Sequence, residues 1–145
     1  MKSLSHSLVA VLFSSAFIMS QPISAQSLTA AQIKQIEEIA QTIATQYNNS
    51  RASMLDDMTA STRAVAIGRN VRYEYVLKVK KGLAPAKLKE FAEETQREIV
   101  PKACATNAKN PAFDRGLTYT YSYTNNYGEK LAEFIVNKEA CRKHS

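Results

Sequence analysis

The stretch Gly116–Cys141, GLTYTYSYTNNYGEKLAEFIVNKEAC, decides the fold. Leu117, Tyr119, Tyr121 and Tyr123 fall on one side of an extended chain, with Thr118, Thr120, Ser122 and Thr124 on the other. That is the two-residue period of a β-strand, and aromatic and β-branched side chains suit its pleated surface. Asn125-Asn126-Tyr127-Gly128 comes next, and Asn and Gly tolerate the positive φ of tight turns, so the chain is expected to reverse there. A second strand is expected from about Glu129 to Asn137. Its Ala132, Phe134 and Val136 oppose Leu131 and Ile135, and a strand apolar on both sides is an inner or covered one.

The hairpin ends in Cys141, and the chain has one other cysteine, Cys104. Whether they pair depends on compartment, which the N-terminus addresses. Met1–Ala25 carries a charge at Lys2, an apolar run from Leu8 to Met19, and Gln21-Pro22-Ile23-Ser24-Ala25 at its exit. Charged end, short apolar core and small exit residue are the order of a secretory signal peptide. The core of about 12 residues falls short of the roughly 20 that span a bilayer. Cleavage is therefore expected near Ala25, leaving one domain over residues 26–145, and with no cysteine at the exit no stable membrane anchor is expected. In an exported chain two cysteines read as a structural disulfide, Cys104 with Cys141. They lack the C-x-x-C spacing of a reactive pair.

Working outward from the hairpin, Ser27 to Asn49 reads as an amphipathic helix, its apolar stripe running through Ile33, Ile36, Ile39, Ala40, Ile43, Ala44 and Tyr47. Thr29 and Gln32 have capping-box spacing and Leu28 and Ile33 that of a hydrophobic staple, while Asn48-Asn49-Ser50 marks the stop. A strand near Thr59 to Ile67 is preferred over a helix from Arg51 to Ile67, with a turn at Gly68-Arg69-Asn70. Val71 to Lys81 reads as a strand with Tyr73, Tyr75, Leu77 and Val79 on one side and Arg72, Glu74, Val76, Lys78 and Lys80 on the other. Pro85 opens a second helix to Val100, which Pro101 should kink or restart, placing Cys104 on the next turn. Asn110–Gly116 looks like one capped helical turn closed by Gly116.

Catalytic chemistry is nearly absent. His6 leaves with the leader and His144 is penultimate, so no imidazole is placed to serve a nucleophile or a metal. The adjacent pairs Asp56-Asp57 and Glu93-Glu94 diverge on either kind of element, which leaves Asp114 and Glu133 as candidate acids or bases. No glycine-rich phosphate loop is present. No catalytic residue, metal or cofactor is expected. The formal net charge of +6, from 19 Lys and Arg against 13 Asp and Glu, is moderate and interleaved, so no nucleic-acid partner is expected.

The tyrosines stand out. Either the aligned rings form the core face of the sheet, or they form an exposed strip beside basic residues, the composition enriched where proteins grip one another. On the second reading the interface comprises Tyr73, Tyr75, Lys78, Lys80, Tyr119 and Tyr121. The expected fold is α+β: an antiparallel sheet of three or four strands packed on one face by two main helices, with one disulfide. In outline, a small exported helix-and-sheet domain with one disulfide resembles several periplasmic groups, among them secretion pilotins, immunity proteins against cell-wall-degrading toxins, and accessory regulators of sensor kinases. The resemblance rests on architecture and on no motif. The expected function is non-enzymatic binding of another envelope or secreted protein, as inhibitor, immunity factor or accessory subunit, in the periplasm or outside the cell. A small ligand-binding or hydrolase-like domain is the alternative. Oligomeric state is not set by the sequence.

Overall fold

A computed structural model of the chain describes residues 27–143. The expected leader, Met1–Ala25, and His144 lie outside the described residues. Helix α1 (Ala30–Ser50) is followed by a short 3-10 turn (Arg51–Met54), then strands β1 (Thr59–Ile67) and β2 (Asn70–Leu77). Helices α2 (Pro85–Asn107) and α3 (Pro111–Asp114) lead into strands β3 (Thr118–Asn125) and β4 (Lys130–Val136), and the short helix α4 (Lys138–Arg142) closes the domain.

The entry of α1 is specified locally. The Thr29 hydroxyl accepts from the Gln32 amide at 3.2 Å, while the Gln32 side chain accepts from the Thr29 amide at 2.8 Å, so two otherwise unpaired donors are satisfied reciprocally. Thr29→Ala is expected to lower stability by about 1 kcal/mol. A urea midpoint that shifts with unchanged slope would show it; no shift would mean the entry turn is held by packing alone.

The four strands lie in the order β1-β2-β3-β4. Both outer pairs are antiparallel and the central pair, β2 with β3, is parallel. Parallel neighbours need a long crossover, and α2 with α3 supplies it. Strand β2 stops at Leu77, short of the expected Lys81, because its neighbour β3 ends at the facing Asn125.

Sequence reading ends the second helix at Val100 and has Pro101 kink or restart it. Instead α2 runs through Pro101 to Asn107. Proline disfavours a helix interior, yet the turns beyond it are pinned: Ala103 is buried, Cys104 is bridged, and Asn107 accepts from the Tyr119 hydroxyl at 2.8 Å. Tertiary packing overrides the local preference. Asn110 then caps α3 by accepting from the Ala112 amide. Gly116 leaves that turn at φ 98°, where a side chain would also meet the Arg69 guanidinium.

The core lies between the sheet and the helices. One cluster gathers Ile36, Ala40 and Ala44 of α1 with Val71, Val100, Phe113, Leu117, Tyr119 and Val136; a second, toward the hairpin, gathers Tyr123, Leu131 and Ala132 with Phe91 of α2 packed on them. The Cys104–Cys141 bridge joins α2 to α4 across a Cα separation of 5.5 Å.

Candidate functional site

Helix α1 packs on β1 and β2, and α2 packs on β4. Between the two helices, over the central strands, lies a cleft of about 450 Å³. Its walls are Ile43 of α1 and Ile99, Ala103 and Thr106 of α2; Tyr73, Tyr119 and Tyr121 form its floor. At Asn110 it meets a smaller hollow of about 240 Å³ that runs past Gln35, Ile36 and Ile39 along α1. From Gln35 to Ile43 the groove wall is about 12 Å long at the helical rise of roughly 1.5 Å per residue.

The floor is a continuous aromatic surface. Tyr73 lies 4.8 Å from Tyr47, 5.2 Å from Tyr121 and 6.2 Å from Tyr119 between ring centroids, and Tyr121 lies 5.4 Å from Phe134. These are the separations at which rings attract beyond simple burial. The outer rings are held by hydrogen bonds: Tyr47 and Thr62 share one at 2.6 Å, and Tyr119 donates to Asn107. The inner ones differ. Among the described residues no protein group pairs with the hydroxyls of Tyr73, Tyr121 and Tyr123, and none of these oxygens is sealed from water.

Burial, and then neighbouring tyrosines, pushes the Tyr121 phenol up to about 12. The same causes raise Tyr73 and Tyr123, and burial raises Tyr119. All stay neutral over the physiological range, offering a flat ring and a hydroxyl that both donates and accepts. That is equipment for recognition. Asp114 and Glu133, the acid–base candidates, are each engaged by cations: Asp114 with Lys138 at 2.8 Å, Glu133 with Lys130 and Arg72. The hydrogen bonds from Lys130 and Arg72 hold the Glu133 carboxyl below its usual range. Among the described residues no group of three or more His, Cys, Asp or Glu is placed to hold a metal.

The six residues read as an interface do not form one patch. Tyr73, Tyr119 and Tyr121 are the groove floor, and Tyr75 lies beside it, stacked on Tyr123 at 4.8 Å. Lys78 and Lys80 reach solvent beyond the end of β2. Sequence reasoning missed the walls, Ile43, Ile99 and Asn107. Both isoleucines belong to the apolar faces of their helices, and only the spacing between the helices leaves them at an opening.

The edge of β1 is occupied. Asn48, within α1, donates to the Ala64 carbonyl and accepts from the Ala64 amide, both at 2.8 Å. Its amide thus takes the place a further strand would use.

No protein-family model matches the chain, and no curated protein matches it. Solved structures do. The chain is similar to the type II secretion system pilotin AspS of Vibrio cholerae, at 21% identity over 77% of this chain and 97% of that one, with a TM-score of 0.57. It is similar to the type 2 secretion system pilotin EpsS of Vibrio vulnificus, at 17% identity over 78% and 97%, with a TM-score of 0.60. It is also similar to a protein of Pseudomonas aeruginosa described as secreted, at 10% identity over 79% and 100%, with a TM-score of 0.62. At these identities the likeness is one of fold.

Proposed function

We propose that this protein is an exported, non-enzymatic accessory subunit of an envelope assembly, and that it seats an amphipathic helix of its protein partner in the groove between α1 and α2. The observation that carries this is the groove floor: packed tyrosine rings, of which Tyr73 and Tyr121 line the cleft with hydroxyls that have no protein partner among the described residues and are not sealed from water. Such a surface gives a ligand apolar contact and hydrogen bonding together, as protein-binding hot spots do. A small exported domain also grips peptides by adding a strand to a sheet edge. The Asn48 plug on β1 disfavours that mode. A groove walled by two helices instead suits a third, laid against the apolar residues at Gln35–Ile43. The fold shared with two secretion-system pilotins supports a place beside a secretion machine, and the predicted leader and the disulfide support export.

The test is site-specific photo-crosslinking in cells. A crosslinking residue at Thr106, in the groove, is expected to yield an adduct with one envelope protein through a helical segment. Thr45 lies half a turn from the buried Ile36 on α1 and is expected to give none. Ile43→Glu, which places a charge in the groove wall, should cut the Thr106 adduct at least tenfold. Equal adducts from both positions, or none from Thr106, would remove the groove from the function.

A further inference from the structure

The face of the sheet turned away from the tyrosines carries a second constellation. Five charged side chains form a chain of ion pairs across it: Lys130 with Glu133 on β4, Glu133 with Arg72 on β2, Arg72 with Glu74, and Glu74 with Arg63 on β1. Along β3 the same face presents Thr118, Thr120, Ser122 and Thr124. Where these meet, the sheet is hollowed into a concavity of about 560 Å³, lined among others by Arg51, Arg63, Arg72, Glu74, Ser61 and Ser122.

Its electrostatics are unbalanced by construction. Each carboxylate of the chain serves two cations, Glu74 both arginines and Glu133 Arg72 with Lys130. The guanidiniums therefore keep donors in reserve. Arg63 is engaged through Nε, and Arg72 through Nε and Nη2. Arg51, at the mouth, has no ion-pair or hydrogen-bond partner among the described residues. Planar guanidiniums with unused N–H groups are receptors for carboxylate or phosphate. A bare oxyanion would fill little of this volume, and the remaining lining carries the hydroxyls of Ser61, Ser122 and Thr124, with Val76 as the one apolar side chain; the Thr62 hydroxyl is taken by Tyr47 on the other face. Most small-molecule pockets are lined predominantly by hydrophobic and aromatic side chains; here charged and hydroxyl-bearing residues outnumber them. Its lining complements a ligand that is itself hydroxylated and bears an acid.

We infer that this concavity binds an acidic saccharide. Arg51, Arg63 and Arg72 hold its carboxylate or phosphate, and the serine and threonine hydroxyls pair with the sugar hydroxyls. The site is independent of the groove, which opens on the other face, so the two assignments fail separately.

Calorimetric titration of the purified chain tests it, with four probes: tri-galacturonate, glucose 6-phosphate, neutral galactotriose and inorganic phosphate. Tri-galacturonate, glucose 6-phosphate or both are expected to bind, and raising salt from about 50 to 500 mM should weaken binding several-fold. Which of the two binds more tightly distinguishes a carboxylate from a phosphate source. The double variant Arg51→Gln, Arg72→Gln should lose at least tenfold in affinity with its melting temperature within a few degrees of the parent, because exposed ion pairs contribute little to stability. Lys138→Gln, which removes the cation paired with Asp114, should leave affinity unchanged. Failure of both acidic probes to bind, or an unchanged affinity in the double variant, overturns the site. Equal binding of galactotriose would remove the role of the arginines, and equal binding of inorganic phosphate that of the hydroxyls; either also overturns it.

Discussion

Cys104→Ser is expected to lower the stability of this domain by about 4 kcal/mol, the loop-entropy value for a bridge closing a loop of this size. The two cysteines are 37 positions apart, so the reduced chain regains the freedom of a long loop. Against a typical total of roughly 5–15 kcal/mol, that is a large share, and for a domain of this length it corresponds to a fall in melting temperature of roughly 10–25 °C. The effect should be local before it is global. The bridge ties α2 to α4, and α4 packs on α2 and β4, so amide exchange in α4 should accelerate first as the least stable unit opens. Cys104→Ser, Cys141→Ser and the double variant should coincide, since each removes the same bond. Oxidised and dithiothreitol-treated protein melting at the same temperature would show that the staple contributes nothing to the folded state.

Asn125→Ala is expected to cost roughly 2–4 kcal/mol, since it leaves two backbone donors without their acceptor. Asn125 is 1% exposed at the end of β3. Its side-chain oxygen accepts from the Tyr127 and Glu129 amides at 3.0 and 2.9 Å, and its nitrogen donates to the Glu129 carboxylate at 2.7 Å. That carboxylate in turn accepts from the Gly82 amide at 3.0 Å. One side chain thus organises the hairpin and anchors the loop between β2 and α2. Faster amide exchange at Tyr127, Glu129 and Gly82 together would report the loss of this network. A stability change under about 0.5 kcal/mol, ordinary for a surface position, would mean that the turn is set by Gly128 and the backbone alone.

Much of the architecture is legible residue by residue. The alternation of Leu117 to Thr124 marks β3, and the spacing of Thr29 and Gln32 marks the start of α1, because both signals act between near neighbours. Strand β1 falls at Thr59–Ile67 as expected. The site was less legible. The tyrosines announced themselves by density, but the same rings fit a buried floor or an exposed strip, and their periodicity does not say which. Asn48 read as a helix stop and proves to be a strand cap, a role visible only once α1 lies along β1.

Unaided, the order of residues determined α1, the start of α2, the capped turn at Asn110–Gly116, the positions of the four strands, the reversal at Asn125–Gly128 and the sole intramolecular pairing open to two cysteines; it did not mark α4. Each depends on backbone preferences and side-chain period within a few positions, or on simple counting. Three-dimensional packing alone decided that β2 and β3 run parallel, that α2 continues through Pro101, and that α1 and α2 stand apart over the central tyrosines. Those outcomes join segments tens of residues apart, and there the free energy lies in which buried surfaces fit one another, a quantity no local pattern encodes.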